Sequence, residues 1–213
     1  ATWLLLPQSA GYISAEAASL LLANLDRATA LLLGPGLGLE PTTQEFINQV
    51  CHKELPALVV DADGLKLLAH LKSWPSRLPA ETVLTPHPGE MSVLTGLSVR
   101  EIQANRLETA LKFSEEWGHI VVLKGAFSVI AAPDGAAAVI PVASSALARA
   151  GTGDVLAGLI VGLRAQGVEA FSAAAAAAWI HANGGLRAAA AYGSTACVLA
   201  GDVLQFAIQE ISS

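Results

Sequence analysis

Cysteine is scarce in this 213-residue chain, which carries only Cys51 and Cys197. Two thiols so far apart exclude a disulfide framework and a zinc cage, so both read as small apolar core residues in a reducing, cytoplasmic compartment. Charge is scarce too. Asp, Glu, Lys and Arg make up 14% of the chain, with 12 Lys plus Arg against 18 Asp plus Glu and a formal net charge of −6. No basic excess exists to neutralise a phosphate backbone, which excludes nucleic acid as the partner. Long hydrophobic runs are missing as well. Stretches such as Val155 to Leu163 fall far short of the roughly 20 residues of a membrane-spanning helix, so no membrane partner is expected. Ala1 to Leu6 holds a short apolar run with no basic region ahead of it, and no signal peptide is read there. The chain opens on Ala rather than Met, so an upstream segment is expected.

What remains is strongly apolar. Hydrophobic residues form 53% of the chain and the mean hydropathy is +0.52, which excludes disorder. The length suffices for one α/β core, and residues 1–213 are expected to form a single domain. The pattern along the chain is a short β-branched or leucine-rich run, a Gly or Pro break, then a helical stretch. Strands are expected at Thr2–Leu6, Ala30–Leu33, Ala57–Val60, Thr82–Leu84 and Ile120–Leu123. They lack in/out alternation, as in a parallel sheet covered by helices on both faces. Helices are expected from about Ser14 (as N-cap) and about Thr42, near Leu65–Leu71 and Pro88–Thr95, and over Arg100–Trp117. Val129–Ala131 and Ala137–Ile140 flank Pro133-Asp134-Gly135 and read as a hairpin. Helices at about Thr152–Gln166, Phe171–Ala191 and Ala200–Ile211 close the chain. The alanine run Ala173–Ala178 reads as a thin helix packed in a core, and it is also compatible with a subunit contact in a homo-oligomer. The expected architecture is a three-layer α/β/α sandwich with a mainly parallel central sheet.

Several polar or glycine-rich motifs fall at the carboxyl ends of these strands or at a helix start, where open α/β sheets bind ligands. Gly151-Thr152-Gly153-Asp154 precedes an apolar helix, so its glycines and first-turn N–H groups suit a phosphate. Either Thr152 and Asp154 merely cap that helix, or Asp154 accepts a proton from a substrate hydroxyl. Gly34-Pro35-Gly36-Leu37-Gly38 is either a tight turn needing positive φ or a backbone surface for a flat or phosphorylated ligand. It does not match the G-x-G-x-x-G dinucleotide fingerprint. His87 and Glu90 stand three apart in a rigid Pro/Gly loop; His87 suits binding, and Glu90 suits Mg²⁺ held through water. His52, His70, His119 and His181 show no zinc-ligand spacing. Asp63 reads as an N-cap and Asp61 as a metal or phosphate neighbour, while Lys124 is either a phosphate partner or a solvated charge.

Together these segments resemble the ribokinase-like superfamily, and within it the ATP/ADP-dependent NAD(P)H-hydrate dehydratase family. That family's segments read roughly G-P-G-L-G, D-A-D-A-L-N, T-P-H-P-G-E, V-L-K-G-A-G-T and G-S/T-G-D-V-L-A-G. Their counterparts here are Gly34–Gly38, Asp61–Lys66, Thr85–Glu90, Val122–Ser128 and Gly151–Gly158, in the same order. The resemblance implies a lyase that removes water from the (6S)-hydrate of NADH or NADPH, with ADP or ATP as phosphoryl donor and Mg²⁺. It implies that Gly38, His87 and Asp154 contact the hydrate, with Asp154 as the catalytic base. It implies that Lys124, Gly125, Ala126, Phe127, Ser128, Gly151, Thr152 and Gly153 hold the nucleotide, with Glu90 toward the metal. It also implies an epimerase as partner, fused upstream or separate. The chain departs from the family in four places. The family's first strand–helix–strand segment has no counterpart before Ala1, Lys66 replaces Asn, Phe127 replaces Gly, and Ser144 stands where Asn is frequent. Two other readings are a kinase of a small alcohol, which shares the G-x-G-D helix, and a non-catalytic nucleotide-binding domain.

Overall fold

The apolar runs meet as neighbouring strands in the computed structural model, which describes residues 3–51 and 54–211. The chain starts with a small antiparallel hairpin, β1 (Gln8–Ser9) and β2 (Tyr12–Ile13). Helix α1 (Ala17–Leu22) leads to β3 (Ala30–Leu33). Then come α2 (Pro41–Val50), β4 (Ala57–Val60), α3 (Asp63–Ala69) and β5 (Val83–Leu84). Three helices follow, α4 (Pro88–Thr95), α5 (Val99–Ala104) and α6 (Arg106–Trp117), and then β6 (Ile120–Leu123). Strands β7 (Val129–Ala131) and β8 (Ala137–Val139) form the expected hairpin. Helices α7 (Thr152–Ala165), α8 (Ala170–Tyr192) and α9 (Ala200–Ile211) complete the order.

Strands β3 to β8 make one six-stranded sheet in sequence order; β3 to β6 are parallel, and β7 and β8 run antiparallel. Successive side chains on a strand point to opposite faces, and both faces here are covered. Leu58, Val60, Leu84, Val121 and Leu123 pack with Phe46, Leu65, Met91, Ile102 and Phe113 of α2 to α6. Val59, Val83, Ile120 and Val122 pack with Leu156 and Ile160 of α7 and with Ala174 and Ala178 of α8. That is the physical reason for unbroken apolar strands, and it makes the three-layer α/β/α arrangement. The alanine run belongs to this core: Ala173, Ala174, Ala177 and Ala178 are all buried. Among the described residues no helix is long and apolar enough to cross a membrane.

Four expectations fail locally. Residues 3–6 form no strand, and Thr2 lies outside the described residues. Ser14 does not cap α1, whose N-cap position is Glu16; the Ser14 hydroxyl is buried without a hydrogen-bond partner. The helix expected over Arg100–Trp117 is two helices, because Asn105 (φ −134°, ψ 49°) ends α5 and starts α6. Cys51 is buried as expected, but Cys197 is exposed in a short 3₁₀ turn. The hairpin β1–β2 was not expected at all; its turn, Ala10-Gly11, has φ of 50° and 87°, the mirror-image geometry that suits a tight hairpin.

Candidate active site

The strand ends place the polar motifs along one edge of the sheet. Asp61 follows β4 and is almost fully buried. Its Oδ1 accepts from Thr85 Oγ1 at 2.7 Å and from Lys124 Nζ at 2.5 Å. The backbone around it is locked by glycine. A Cβ on Gly34 (φ +131°) would stand 1.8 Å from the Asp61 carbonyl oxygen, a distance no side chain survives. Asp63, expected as an N-cap, does not cap α3; the N-cap position is Ala62 and makes no side-chain bond. Asp63 instead accepts from Gly38 N–H at 3.1 Å and pairs with Lys66 Nζ at 3.0 Å, so it fastens the Gly34–Gly38 turn.

The Thr85–Glu90 loop forms a reciprocal cap on α4. His87 Nδ1 accepts from the N–H groups of Gly89 and Glu90, and Glu90 Oε2 accepts from His87 N–H at 2.8 Å. With Nδ1 accepting, the ring proton belongs on Nε2, which lies 3.2 Å from Glu90 Oε1. Glu90 Oε2 also lies 3.7 Å from Lys124 Nζ. Both oxygens of this buried carboxylate are therefore engaged within the chain. Among the described residues no group of three His, Cys, Asp or Glu side chains is placed to hold a metal ion.

Gly151 (φ +85°) occupies the N-cap position of α7, and no side chain caps this helix. Neither Thr152 nor Asp154 is a cap. The Thr152 hydroxyl lies 2.7 Å from the Leu147 carbonyl and 2.8 Å from that of Arg149, tying down the preceding loop. Thr152 N–H donates to the Arg149 carbonyl at 3.2 Å, and the first turn of α7 has no side-chain acceptor, an arrangement that suits an anion. Asp154 is exposed in that turn, with no hydrogen bond or ion pair to its carboxylate among the described residues. Behind the turn, His181 of α8 is buried, its Nε2 2.9 Å from the Thr152 carbonyl. Burial drives the His181 pKa down to about 4; the Thr152 carbonyl opposes this and the Lys124 charge adds to it.

These elements enclose a cleft of about 680 Å³. Of the residues singled out in the sequence, His87, Lys124, Gly125, Ala126, Ser128, Thr152 and Gly153 line it, while Gly38, Glu90, Phe127, Gly151 and Asp154 do not. Gly38 lies under the Tyr12 ring, and its N–H is taken by Asp63. Gly125 and Ser128 hold each other across the nucleotide segment. Phe127 is half exposed at φ +55°, the left-handed region that the glycine it replaces adopts at no steric cost. Part of the remaining lining is apolar, with Ile140, Val142, Leu147 and Leu156 among it. Sequence reasoning missed Arg149 and His181, which also line the cleft. Arg149 carried a signal, since it stands two residues before the Gly151–Gly153 turn; His181 carried none.

Residues 5–207 match the family described as NAD(P)H-hydrate dehydratase. The chain is 41% identical to a bifunctional NAD(P)H-hydrate repair enzyme of Moorella thermoacetica, over 94% of this chain and 38% of that protein. A crystal structure of the ADP/ATP-dependent NAD(P)H-hydrate dehydratase of Bacillus subtilis, co-crystallised with ATP and Mg²⁺, is similar with a TM-score of 0.72. It is 30% identical, with 85% of this chain and 63% of that chain covered. A ribokinase-like superfamily protein of Enterococcus faecalis matches with a TM-score of 0.77 and 25% identity, over 94% of this chain and 68% of that one. The chain thus spans well under two thirds of the repair enzyme's length and 63% of the Bacillus chain.

Proposed function

The chain belongs to the NAD(P)H-hydrate dehydratase family, and from this premise we propose that it removes water from the (6S)-hydrate of NADH or NADPH, with ADP or ATP as phosphoryl donor. The observation that carries the reading is Asp154: an exposed carboxylate in the first turn of α7, with no hydrogen bond or ion pair among the described residues, beside a glycine turn that no side chain caps. A carboxylate there repels phosphate, a cost that is offset functionally if it collects the proton of a substrate hydroxyl.

In this reading Asp154 takes the proton of the hydrate's hydroxyl as that oxygen bonds to the terminal phosphorus of the nucleotide, and the bond to the departing nucleotide breaks. The ring nitrogen's lone pair then expels inorganic phosphate, and loss of the neighbouring C–H proton restores the double bond. The Gly151–Gly153 turn, apart from the Thr152 N–H already given to the Arg149 carbonyl, and the Lys124 ammonium hold the transferring oxygens, stabilising charge where it develops. Segment Lys124–Ser128 holds the nucleotide and His87 meets the hydrate, while Gly38, outside the cleft lining with its N–H given to Asp63, would contact the hydrate only beyond the cleft's edge. Mg²⁺ would neutralise phosphoryl charge. It would be an ion carried by phosphates and water; Glu90, buried outside the cleft lining with both oxygens engaged, would act on it only through water. The same reading puts the protein in the cytoplasm and pairs it with an epimerase that supplies the (6S) form.

The test is direct. The protein is incubated with hydrated NADH or NADPH, Mg²⁺ and ADP or ATP, and regenerated reduced cofactor is followed by its absorbance. Recovery with either nucleotide supports the assignment. No recovery from either hydrate with either nucleotide, together with a stable phosphate ester formed on an alcohol, would move the protein to the kinases of this superfamily.

A further inference from the structure

At the floor of the cleft, two buried carboxylates meet one half-buried ammonium, and only the ammonium faces the cleft. Lys124 lines it; Asp61 and Glu90 do not. The ammonium meets Asp61 Oδ1 at 2.5 Å and Glu90 Oε2 at 3.7 Å. On a third side lies Gly153, where a Cβ would stand 3.4 Å from Nζ and 3.9 Å from Asp61 Oδ2. Nothing about a lysine dictates this placement, because its four-carbon stem is flexible and its charge has no preferred direction. Asp61, by contrast, is fixed on every side. Its N–H donates to the Leu33 carbonyl at 3.1 Å, its carbonyl accepts from Gly64 N–H at 3.0 Å, and its carboxylate is held by Thr85.

We propose that Asp61 is a positioning residue, which holds the Lys124 ammonium against Gly153 so that a nucleotide phosphate entering the cleft meets a charge already aimed. The proposal rests on nucleotide binding in this cleft, as set out above, but not on the dehydration step. An ion pair serving stability alone has no need to face the ligand, and buried pairs of that kind contribute little net stability. Here the pair sits where a pre-oriented cation strengthens phosphate contacts, since charge-assisted hydrogen bonds depend on alignment.

A double-mutant cycle on ADP affinity, read by calorimetry with Mg²⁺ present, tests this. Lys124→Met is expected to weaken ADP binding by about 10-fold or more, the scale of a lost charged hydrogen bond. Asp61→Asn should weaken it by about 10-fold, because the released ammonium turns toward Glu90. In the Lys124→Met background Asp61→Asn should change ADP affinity by less than about twofold, since nothing is left to aim. Where turnover is present, KM for ADP should rise in Asp61→Asn while KM for the hydrate stays within about twofold. Thr85→Val keeps both charges and loosens the carboxylate, so it serves if Asp61→Asn does not fold; about a threefold loss is expected, again absent without Lys124. Equal losses in both backgrounds would make Asp61 a purely structural residue, and tighter ADP binding in Asp61→Asn would make it a competing charge; either overturns the proposal. A wild-type chain that binds ADP but regenerates no NADH loses the dehydratase assignment and keeps this one. A chain that binds neither ADP nor ATP loses both.

Discussion

Lowering the pH from neutral toward 4 should cost this protein stability through buried histidine, above all His181. Its ring is buried between α8 and the first turn of α7, with Nε2 fixed on the Thr152 carbonyl. Burial holds its pKa near 4 against 6.5 in an open chain. The unfolded state therefore binds a proton in a range where the folded state does not. Stability is fully present above about pH 6.5, falls as pH drops from there to about 4, and levels off below that. The gap corresponds to on the order of 3 kcal/mol. At roughly 2–4 °C per kcal/mol for a domain of this size, that is on the order of 10 °C in Tm. Buried His119 is shifted the same way, by burial first, with its bond to the Pro75 carbonyl opposing, so the wild-type curve alone would mix the two. The comparison is with His181→Gln, which retains an N–H for the Thr152 carbonyl but does not titrate. Thermal melts by circular dichroism at matched pH should show the difference between the two proteins changing across this window. Parallel curves, within about 0.5 kcal/mol throughout, would refute a His181 kept neutral by burial.

Two further outcomes follow from packing. Gly34→Ala drives a Cβ to 1.8 Å from the Asp61 carbonyl oxygen and should cost about 4 kcal/mol or more, read as a lowered Tm. Gly36→Ala, with nothing within 4 Å of the added Cβ and a φ of +72°, should cost only about 1 kcal/mol; equal losses at both positions would contradict the close approach of β3 and β4 ends. Burial pushes the Cys51 thiol up to about 11, with Arg77 pulling weakly the other way, while Cys197 is exposed. Iodoacetamide at mildly alkaline pH should therefore label one thiol per native chain and two after denaturation, and fast labelling of Cys51 would show that its enclosure is wrong.

Most of the sheet was legible because its strands are covered on both faces and so read as unbroken apolar runs. Ala30–Leu33, Ala57–Val60, Ile120–Leu123 and Val129–Ala131 lie where the residues place them. Helix edges were less legible where the sequence carries no breaker. Asn105 interrupts Arg100–Trp117 through its backbone angles alone, in a stretch with neither Gly nor Pro. The β1–β2 hairpin was too short to show any periodicity. At the site, the glycine turns and the Thr85–Glu90 loop were visible as motifs, yet their internal wiring was not. Asp63 looked like a cap and proved to be the anchor of Gly38. His181 lay hidden because a lone histidine in an alanine-rich helix has no spacing to read, and only the packing of α8 on α7 brings it beneath the cleft.

The central claim is that Asp154 is the base of a nucleotide-driven dehydration, and Asp154→Asn tests it most directly. Since the carboxylate makes no cap bond in α7, the variant should melt as the wild type does. Removing a negative charge beside the phosphate site should leave ADP binding intact or slightly tighter. Regeneration of NADH from its hydrate should nevertheless fall by about 10²-fold or more, the scale of a lost acid–base group. A variant that folds, binds ADP and turns over at a near-normal rate would contradict the account.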